Sequence, residues 1–207
     1  MKKYFMFVFA FVALTALSFA QMQIGPKAGL NLSTLNGSDV DNAESKTGFV
    51  GGIFFMYQFS NMFAVQPEAY YTMKGAKSKG NLEGYDYTAT WSLDYIEIPV
   101  LLKLIIPLQN TKINPAIFAG PSVAFNTTHK IKVEAGGQSS EQDISDITST
   151  DFGLVFGGGV GFPVSNNELG FDVRYTLGLA TIDDSAEKAD VKNGVWSFNL
   201  YFGFSLQ

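Results

Sequence analysis

Charged and polar side chains interrupt segments of the sequence that are otherwise apolar, and they do so at every second position. At 169–179, Asp172 and Arg174 alternate with Phe171, Val173 and Tyr175. Successive side chains of a β-strand point to opposite faces, so the charges share one face of a strand and the large apolar residues share the other. Seven residues at equivalent positions form the predicted lumen polar cluster: Lys27, Gln66, Glu68, Glu97, Lys103, Asp172 and Arg174.

Two kinds of chemistry are open to such a cluster. Buried acids and bases can pair with one another and fill an enclosed interior, because an isolated buried charge is costly. A row of charges can instead line a path for protons or ions. The residue types fit both interpretations, and the choice depends on how wide an interior the surrounding elements enclose.

Two other features could suggest an enzyme. The run Gly157-Gly-Gly-Val-Gly161 resembles a phosphate-binding loop, but no helix and no Lys-Ser/Thr pair follow it. His129 is the single histidine and stands in a polar link without a Ser or Asp partner in its sequence context. There is no Cys, which excludes disulfides and thiolate chemistry. We therefore expect no catalytic residue, no cofactor and no metal site.

The alternation identifies the elements that must position the cluster. A barrel wall in lipid shows an apolar residue at every second position, with the other set facing the lumen. Eight segments have this pattern: 22–32, 48–59, 62–74, 93–105, 114–125, 151–162, 169–179 and 195–206.

The links between these segments alternate in length. Short links fall at 60–61, 107–112 and 163–167, and long polar links fall at 33–47, 75–90, 126–150 and 180–194. Outer-membrane barrels have short periplasmic turns and long extracellular loops. The sequence therefore predicts an all-β protein, an eight-stranded antiparallel up-and-down transmembrane β-barrel. The interior of eight strands is only wide enough for side chains, which favours pairing of the lumen charges.

The N-terminus has the parts of a secretory signal peptide. Lys2 and Lys3 precede an apolar stretch, and Ser18 and Ala20 supply small residues before a cut at Gln21. We therefore expect residues 1–20 to be a cleaved signal peptide and 21–207 to be the barrel domain. Cleavage changes the formal charge from −5 to −7, so we expect no nucleic acid partner.

Four aromatic residues stand near the predicted ends of the strands. Trp91 and Trp196 fall near the ends next to the long links, and Phe63 and Phe162 near the ends next to the short ones. Aromatic residues form girdles at both membrane interfaces of outer-membrane barrels. All four are predicted interface aromatics.

Several strand motifs together resemble the PorT-type outer-membrane β-barrel family, which is related in architecture to the small OmpA and OmpX barrels. The matching stretches are Gly25-Pro-Lys-Ala-Gly-Leu-Asn-Leu-Ser33, Val65-Gln-Pro-Glu-Ala-Tyr-Tyr71, Tyr95-Ile-Glu-Ile-Pro-Val-Leu-Leu-Lys103, Phe118-Ala-Gly-Pro121 and Asp172-Val-Arg-Tyr-Thr-Leu-Gly178. The resemblance implies a place in the cell outer membrane, but it implies no reaction.

The sequence favours a non-enzymatic integral barrel that presents four extracellular loops. Its role would be structural, adhesive or accessory to an envelope or secretion system. We expect it to contact outer-membrane lipid, the barrel-assembly machinery during insertion and, through its loops, an envelope protein. A small outer-membrane pore or gated channel is the first alternative, and a soluble ligand-binding barrel is the second.

Overall fold

The computed structural model describes residues 21–38, 40, 43–82, 85–108, 111–186 and 188–206. The predicted signal peptide, 1–20, lies outside the described residues. Among the described residues, no helix is long and apolar enough to cross a membrane. The strands are β1 (Gln21–Asn36), β2 (Glu44–Gln58), β3 (Phe63–Leu82), β4 (Tyr85–Ile105), β5 (Asn114–Ala135), β6 (Gln138–Asp143), β7 (Thr150–Val164), β8 (Asn167–Gly178) and β9 (Lys192–Leu206).

Eight of these strands form a closed ring. Each pairs antiparallel with its neighbours in the order β1, β2, β3, β4, β5, β7, β8, β9, and β9 returns to pair with β1 from Met22↔Leu206 to Asn36↔Lys192. β6 pairs with β5 alone and stands outside the ring. Closure leaves no free edge in the wall, as a strand structure in lipid requires. The predicted eight-stranded antiparallel barrel is confirmed.

The wall of the barrel is apolar outside and polar inside. Leu30 and Leu200 on the outer surface are 58% and 62% exposed, whereas Glu97 and Arg174 on the inner surface are 1% and 2% exposed. A soluble barrel would have the opposite arrangement, because exposed apolar surface of this extent is unfavourable in water. The alternation read from the sequence is therefore the alternation between a membrane-facing set and a lumen set.

The long links at 75–90 and 126–150 differ from the sequence-based expectation of open loops. β3 and β4 stay paired as far as Leu82↔Tyr85, and β4 pairs with the extension of β5 as far as Tyr87↔Ala135. β6 then pairs with the same extension of β5 from Lys130↔Asp143 to Ala135↔Gln138. Two hairpins thus form a four-stranded sheet that projects from one side of the barrel. We call it the projecting sheet, and the end of the barrel that carries it the loop end.

The physical reason for the β5–β6 hairpin lies in its turn and its β-branched residues. Gly136 and Gly137 have φ angles of 56° and 80°. A two-residue type I′ turn needs positive φ at both central positions, and glycine adopts it without strain. Thr127, Ile131 and Val133 before the turn are β-branched and favour a pleated strand. At the other end of the barrel, the β7–β8 link is a tight turn at Ser165 and Asn166.

Candidate functional site

The predicted lumen residues lie on the inner face of the wall, and the structure brings five of them together: Lys27, Gln66, Glu68, Asp172 and Arg174. We call the four charged members, Lys27, Glu68, Asp172 and Arg174, the central ion network. Each of the four is at most 4% exposed at its side chain.

Arg174 in β8 is the centre of this network. Its Nη1 donates to Oε2 of Glu68 at 2.6 Å, and its Nη2 donates to Oε1 at 3.2 Å. Its Nε and Nη2 donate to Oδ1 and Oδ2 of Asp172 at 2.9 and 3.0 Å. The guanidinium therefore binds two carboxylates, each through two hydrogen bonds, in the fork geometry that arginine provides and lysine does not. One face of the guanidinium lies 5.0 Å from the ring centre of Phe118.

Lys27 and two amides complete the bonding of the carboxylates. Nζ of Lys27 lies 2.6 Å from Oε1 of Glu68 and 3.0 Å from Oδ2 of Asp172. Nε2 of Gln66 donates to Oε1 of Glu68 at 2.6 Å, and Nδ2 of Asn199 donates to Oδ1 of Asp172 at 2.8 Å. Two cations thus face two anions, and the network is neutral as a whole. Such a balance is what makes buried charges tolerable.

The network crosses the whole width of the lumen. In the ring of eight strands, β3 and β8 are separated by three strands in either direction, so they are opposite walls. The Arg174 to Glu68 pair joins these two walls through one pair of side chains. Lys27 fills the β1 side of the same level. The central ion network therefore blocks the lumen and braces the barrel.

Glycines in β7 make room for the arginine. The register pairs Gly157 with Arg174 and Gly159 with Asp172. A Cβ at Gly157 would lie 2.3 Å from the carbonyl oxygen of Val173 and 2.8 Å from Cα of Arg174. Real Cβ atoms do not approach this closely, so β7 and β8 can lie this near to each other only with glycine at that position.

Glu97 and Lys103 do not join the central ion network. Glu97 pairs instead with Lys74, at 2.8 Å, and Lys74 also lies 3.9 Å from Asp151. Nδ2 of Asn193 donates to Oδ2 of Asp151 at 2.9 Å. This upper cluster of Lys74, Glu97, Asp151 and Asn193 forms a second level of polar contacts.

Lys103 lies on the other side of the network, towards the short turns. Its Nζ is 3.5 Å from Oε1 of Gln66 and 5.4 Å from the ring centre of Tyr201. It lines a polar hollow of about 190 Å³ together with Gln23, Gln58, Asn114 and Glu168. The polar lumen thus contains hollow space at the short-turn end and packed charges further in.

The predicted lumen polar cluster leaves out three buried polar residues of the interior, namely Lys74, Asp151 and Asn199. The signal was present for each, because the same alternation places them on the lumen set of their strands. Lys74 and Asp151 stand at the ends of the predicted segments, where the pattern gives way to polar links.

The four predicted interface aromatics divide into two groups. Phe63, Phe162 and Trp196 lie on the outer surface and are 41%, 43% and 49% exposed. Trp91 differs from the expectation, because it lines hollows at the loop end instead of the membrane-facing surface. The cause is that Trp91 shares the lumen face of β4 with the buried Leu93 and Tyr95, and it lies where β4 extends beyond the predicted segment.

The glycine run and the histidine that could suggest an enzyme lie in a wall strand and on the exposed surface. Gly157 to Gly161 lie within β7, in the wall of the barrel. His129 is exposed, and its Nδ1 lies 2.9 Å from Oδ1 of Asn126. In the part of the chain that the structure describes, no three His, Asp, Glu or Cys side chains come together as a metal site would require.

Comparison with known proteins identifies the family of this chain. Residues 19–184 match the family model described as the outer membrane protein beta-barrel domain. The chain belongs to this family. No curated protein matches it.

Solved structures of small outer-membrane proteins are similar to the chain. They include Ail, the attachment invasion locus protein of Yersinia pestis, at 18% identity and a TM-score of 0.45, covering 89% of this chain and 99% of that one. Neisserial surface protein A is 19% identical with a TM-score of 0.48, covering 87% and 97%. OprG of Pseudomonas aeruginosa is 12% identical with a TM-score of 0.47, covering 91% and 95%.

The Arg174→Ala variant should be strongly destabilised. It leaves Glu68 and Asp172 with Lys27 as their one cation in the central ion network, and breaking a buried pair in this way costs about 3–5 kcal/mol. We expect this loss in the free energy of unfolding, measured by denaturant titration of the protein refolded in lipid. The temperature at which the folded band disappears from a detergent gel should fall as well.

Lys192→Ala is the matched control. Lys192 pairs with Asp190 at the surface, with both side chains more than one third exposed, and exposed pairs contribute roughly 0–1 kcal/mol. Arg174→Lys should lie between the two variants, because lysine keeps the charge but loses the fork. An Arg174→Ala protein as stable as the Lys192→Ala protein would show that the network does not brace the barrel.

Proposed function

We propose that this protein is a non-enzymatic outer-membrane anchor whose barrel presents its loop end to the outside of the cell. Export through a cleaved signal peptide at 1–20 and insertion by the barrel-assembly machinery would precede this role. The presented surface would serve a structural, adhesive or accessory function in an envelope or secretion system. An envelope protein that contacts the loops would be the partner in the adhesive or accessory case.

The observation that carries the proposal is the bridge across the lumen. Arg174 and Glu68 join opposite walls, and the neutral central ion network occupies the lumen between them. An ion that entered the lumen would have to break these bonds, and the freed charges would be left buried. This arrangement argues against the alternative of a small pore or gated channel. A barrel with a filled lumen is suited to be a rigid support for its loop end.

The projecting sheet supports a role in presentation. β3, β4 and β5 continue beyond the wall as paired strands and β6 pairs with β5 there, so the surface of the projecting sheet is held in a defined shape. Exposed salt bridges lie on its surface, with Lys130 of β5 to Glu141 of β6 at 2.8 Å and Lys132 to Glu134 within β5 at 2.7 Å. A rigid scaffold that ends in an exposed surface is the usual way to position a binding region.

The remaining alternatives fit the structure less well. A soluble ligand-binding barrel would need a polar exterior, whereas the outer surface of this barrel is apolar. An enzyme that used His129 as a base would need a partner on a rigid element, and the contact of its ring is with the neutral amide of Asn126.

Membrane orientation can be tested with single cysteines, because the natural sequence has none. Ser139→Cys, in the projecting sheet, should react with a membrane-impermeant maleimide on intact cells. Asn166→Cys, in the turn between β7 and β8, should react only after the envelope is opened. The reverse labelling pattern would invert the orientation, and labelling of neither variant before the envelope is opened would exclude presentation at the cell surface.

A conductance measurement distinguishes the proposed anchor from the alternative of a pore. In planar lipid bilayers the unmodified protein should give no steady single-channel current, because the central ion network fills the lumen. A 16-stranded porin inserted in the same way is the positive control, since it encloses an aqueous channel. Steady conductance steps from the folded unmodified protein would reject the blocked lumen and favour the pore.

A further inference from the structure

Two adjoining hollows open at the loop end of the barrel, with volumes of about 250 and 280 Å³. They share Leu35, Trp91 and Val191 as a common wall. The first also has Ala76 in its wall, and the second has Ile147 and Ile182. We call the two together the loop-end hollow. Its size and largely apolar wall are those of a site for a small organic molecule.

The floor of the loop-end hollow is a packed apolar cluster. Leu93, Tyr95, Ala124 and Ile182 are buried against one another, and Leu35, Ile147 and Val191 pack on them. Beneath this cluster lie the upper cluster and the central ion network. A molecule in the hollow would therefore rest on a closed floor, and the hollow is not the entrance of a path through the barrel.

The apolar wall continues onto one face of the projecting sheet. Trp91 pairs with Ala76 on one side and with Ile131 on the other, and Ala89 pairs with Val133. Directly paired residues of antiparallel strands share a face, so these five residues form one apolar face. Trp91 lines the hollow, and this face is therefore the one that turns towards it.

Basic side chains of the projecting sheet occupy the opposite face. Lys77 pairs with Thr90, and Lys130 with Ser92, one position away from Trp91 in each case. Lys79 and Lys132 share that face by the same register. Three of the four are also neutralised, since Lys79, Lys130 and Lys132 form salt bridges with Glu44, Glu141 and Glu134.

The hollow itself is acidic. Asp146 and Asp183 stand in its wall, and among the described residues that line it there is no basic side chain. The amide and the hydroxyl of Ser185 donate to Asp183 at 3.0 and 2.8 Å, and these bonds hold the pKa of Asp183 below its ordinary value. Asp183 is therefore ionised at neutral pH.

The surrounding links have the same sign of charge. Residues 33–47, 75–90, 126–150 and 180–194 contain thirteen acidic and seven basic side chains, a formal charge of −6. Their summed field concentrates cations at this end of the barrel. The indole of Trp91 adds an aromatic face of the kind on which organic cations rest.

We propose that the loop-end hollow binds small organic cations that carry an apolar or aromatic body, with Trp91, Leu35 and Val191 holding the body and Asp146 and Asp183 facing the charge. The apolar wall alone would accept neutral molecules of the same shape. The acidic residues make the site select the cation and reject the corresponding anion. This inference does not depend on the cellular role of the protein.

Trp91 is the reporter for the test. The sequence has two tryptophans, and Trp196 lies on the membrane-facing surface. The Trp196→Phe protein, reconstituted in lipid nanodiscs at pH 7, is titrated with 2-phenylethylammonium, with uncharged 2-phenylethanol and with anionic 3-phenylpropionate. We expect a saturable change in Trp91 fluorescence with the ammonium, roughly three- to tenfold weaker binding of the alcohol and no saturable change with the anion.

Asp146→Asn tests the origin of the selectivity. The contact of its carboxylate is with the exposed hydroxyl of Ser145, so the fold should tolerate the change. We expect the preference for the ammonium over the alcohol to fall by roughly two- to fivefold. Asp143→Asn removes the same charge from the opposite face, in register with Lys130, and should keep the preference. Folding of each variant is checked by its heat-dependent migration on detergent gels.

The Trp91→Phe protein, in which Trp196 is the reporter, controls for partition of the probes into lipid. An equal response of this protein to the ammonium would reject binding in the hollow. Equal affinity of the Trp196→Phe protein for the ammonium and the alcohol would reject the proposed charge selectivity, and an Asp146→Asn protein with unchanged preference would reject the role of Asp146.

Discussion

The contact between Arg174 and Glu68 is the interaction on which the rest of this structure depends. Eight strands enclose an interior that side chains must fill, and here the filling side chains are charged. A charge in that position is tolerable only when it is neutralised and its hydrogen bonds are made. Arg174 meets both conditions for two carboxylates at once, with contacts of 2.6 Å to Glu68 and 2.9 Å to Asp172. Because Arg174 and Glu68 come from opposite walls, the bonds between them fix the distance between the walls.

Other features of the barrel follow from this bridge. The backbone of β7 lies close to that of Arg174, and only glycine at position 157 allows this approach. The carboxylates need more donors than one arginine has, and Lys27, Gln66 and Asn199 supply them. The outer wall can then be wholly apolar, since the polar side chains of each strand are used inside. The loop end, which lies beyond the packed charges, is free to hold a hollow and a projecting sheet.

Much of this arrangement could be predicted from the sequence. One face of each wall strand meets lipid and the other meets a polar lumen, so apolar and polar residues alternate with a period of two. That period identified the eight wall strands and the lumen position of Arg174. It could not show that Glu97 would pair with Lys74 and not with the central ion network. Which residues meet across a lumen depends on strand tilt and stagger, and these are properties of the closed barrel. The projecting sheet was missed because the links at 75–90 and 126–150 are rich in charged and small polar residues, although Ile131 and Val133 still alternate with Lys130 and Lys132. Trp91 was misplaced because it lies in that region.

The most direct test of the account concerns the Arg174 side chain itself. Arg174 is the only arginine in the sequence, so its Nε–H gives a single signal in a nitrogen-15 NMR spectrum of the refolded protein. This proton, which is hydrogen-bonded to Asp172 and buried in the lumen, should persist for hours after transfer to D2O at neutral pH. Backbone amides of Gly136 and Gly137, in the exposed turn between β5 and β6, should exchange at once and serve as the internal control. Loss of the Arg174 signal as fast as these amides would mean that the guanidinium is solvated and that the lumen is not filled by the central ion network.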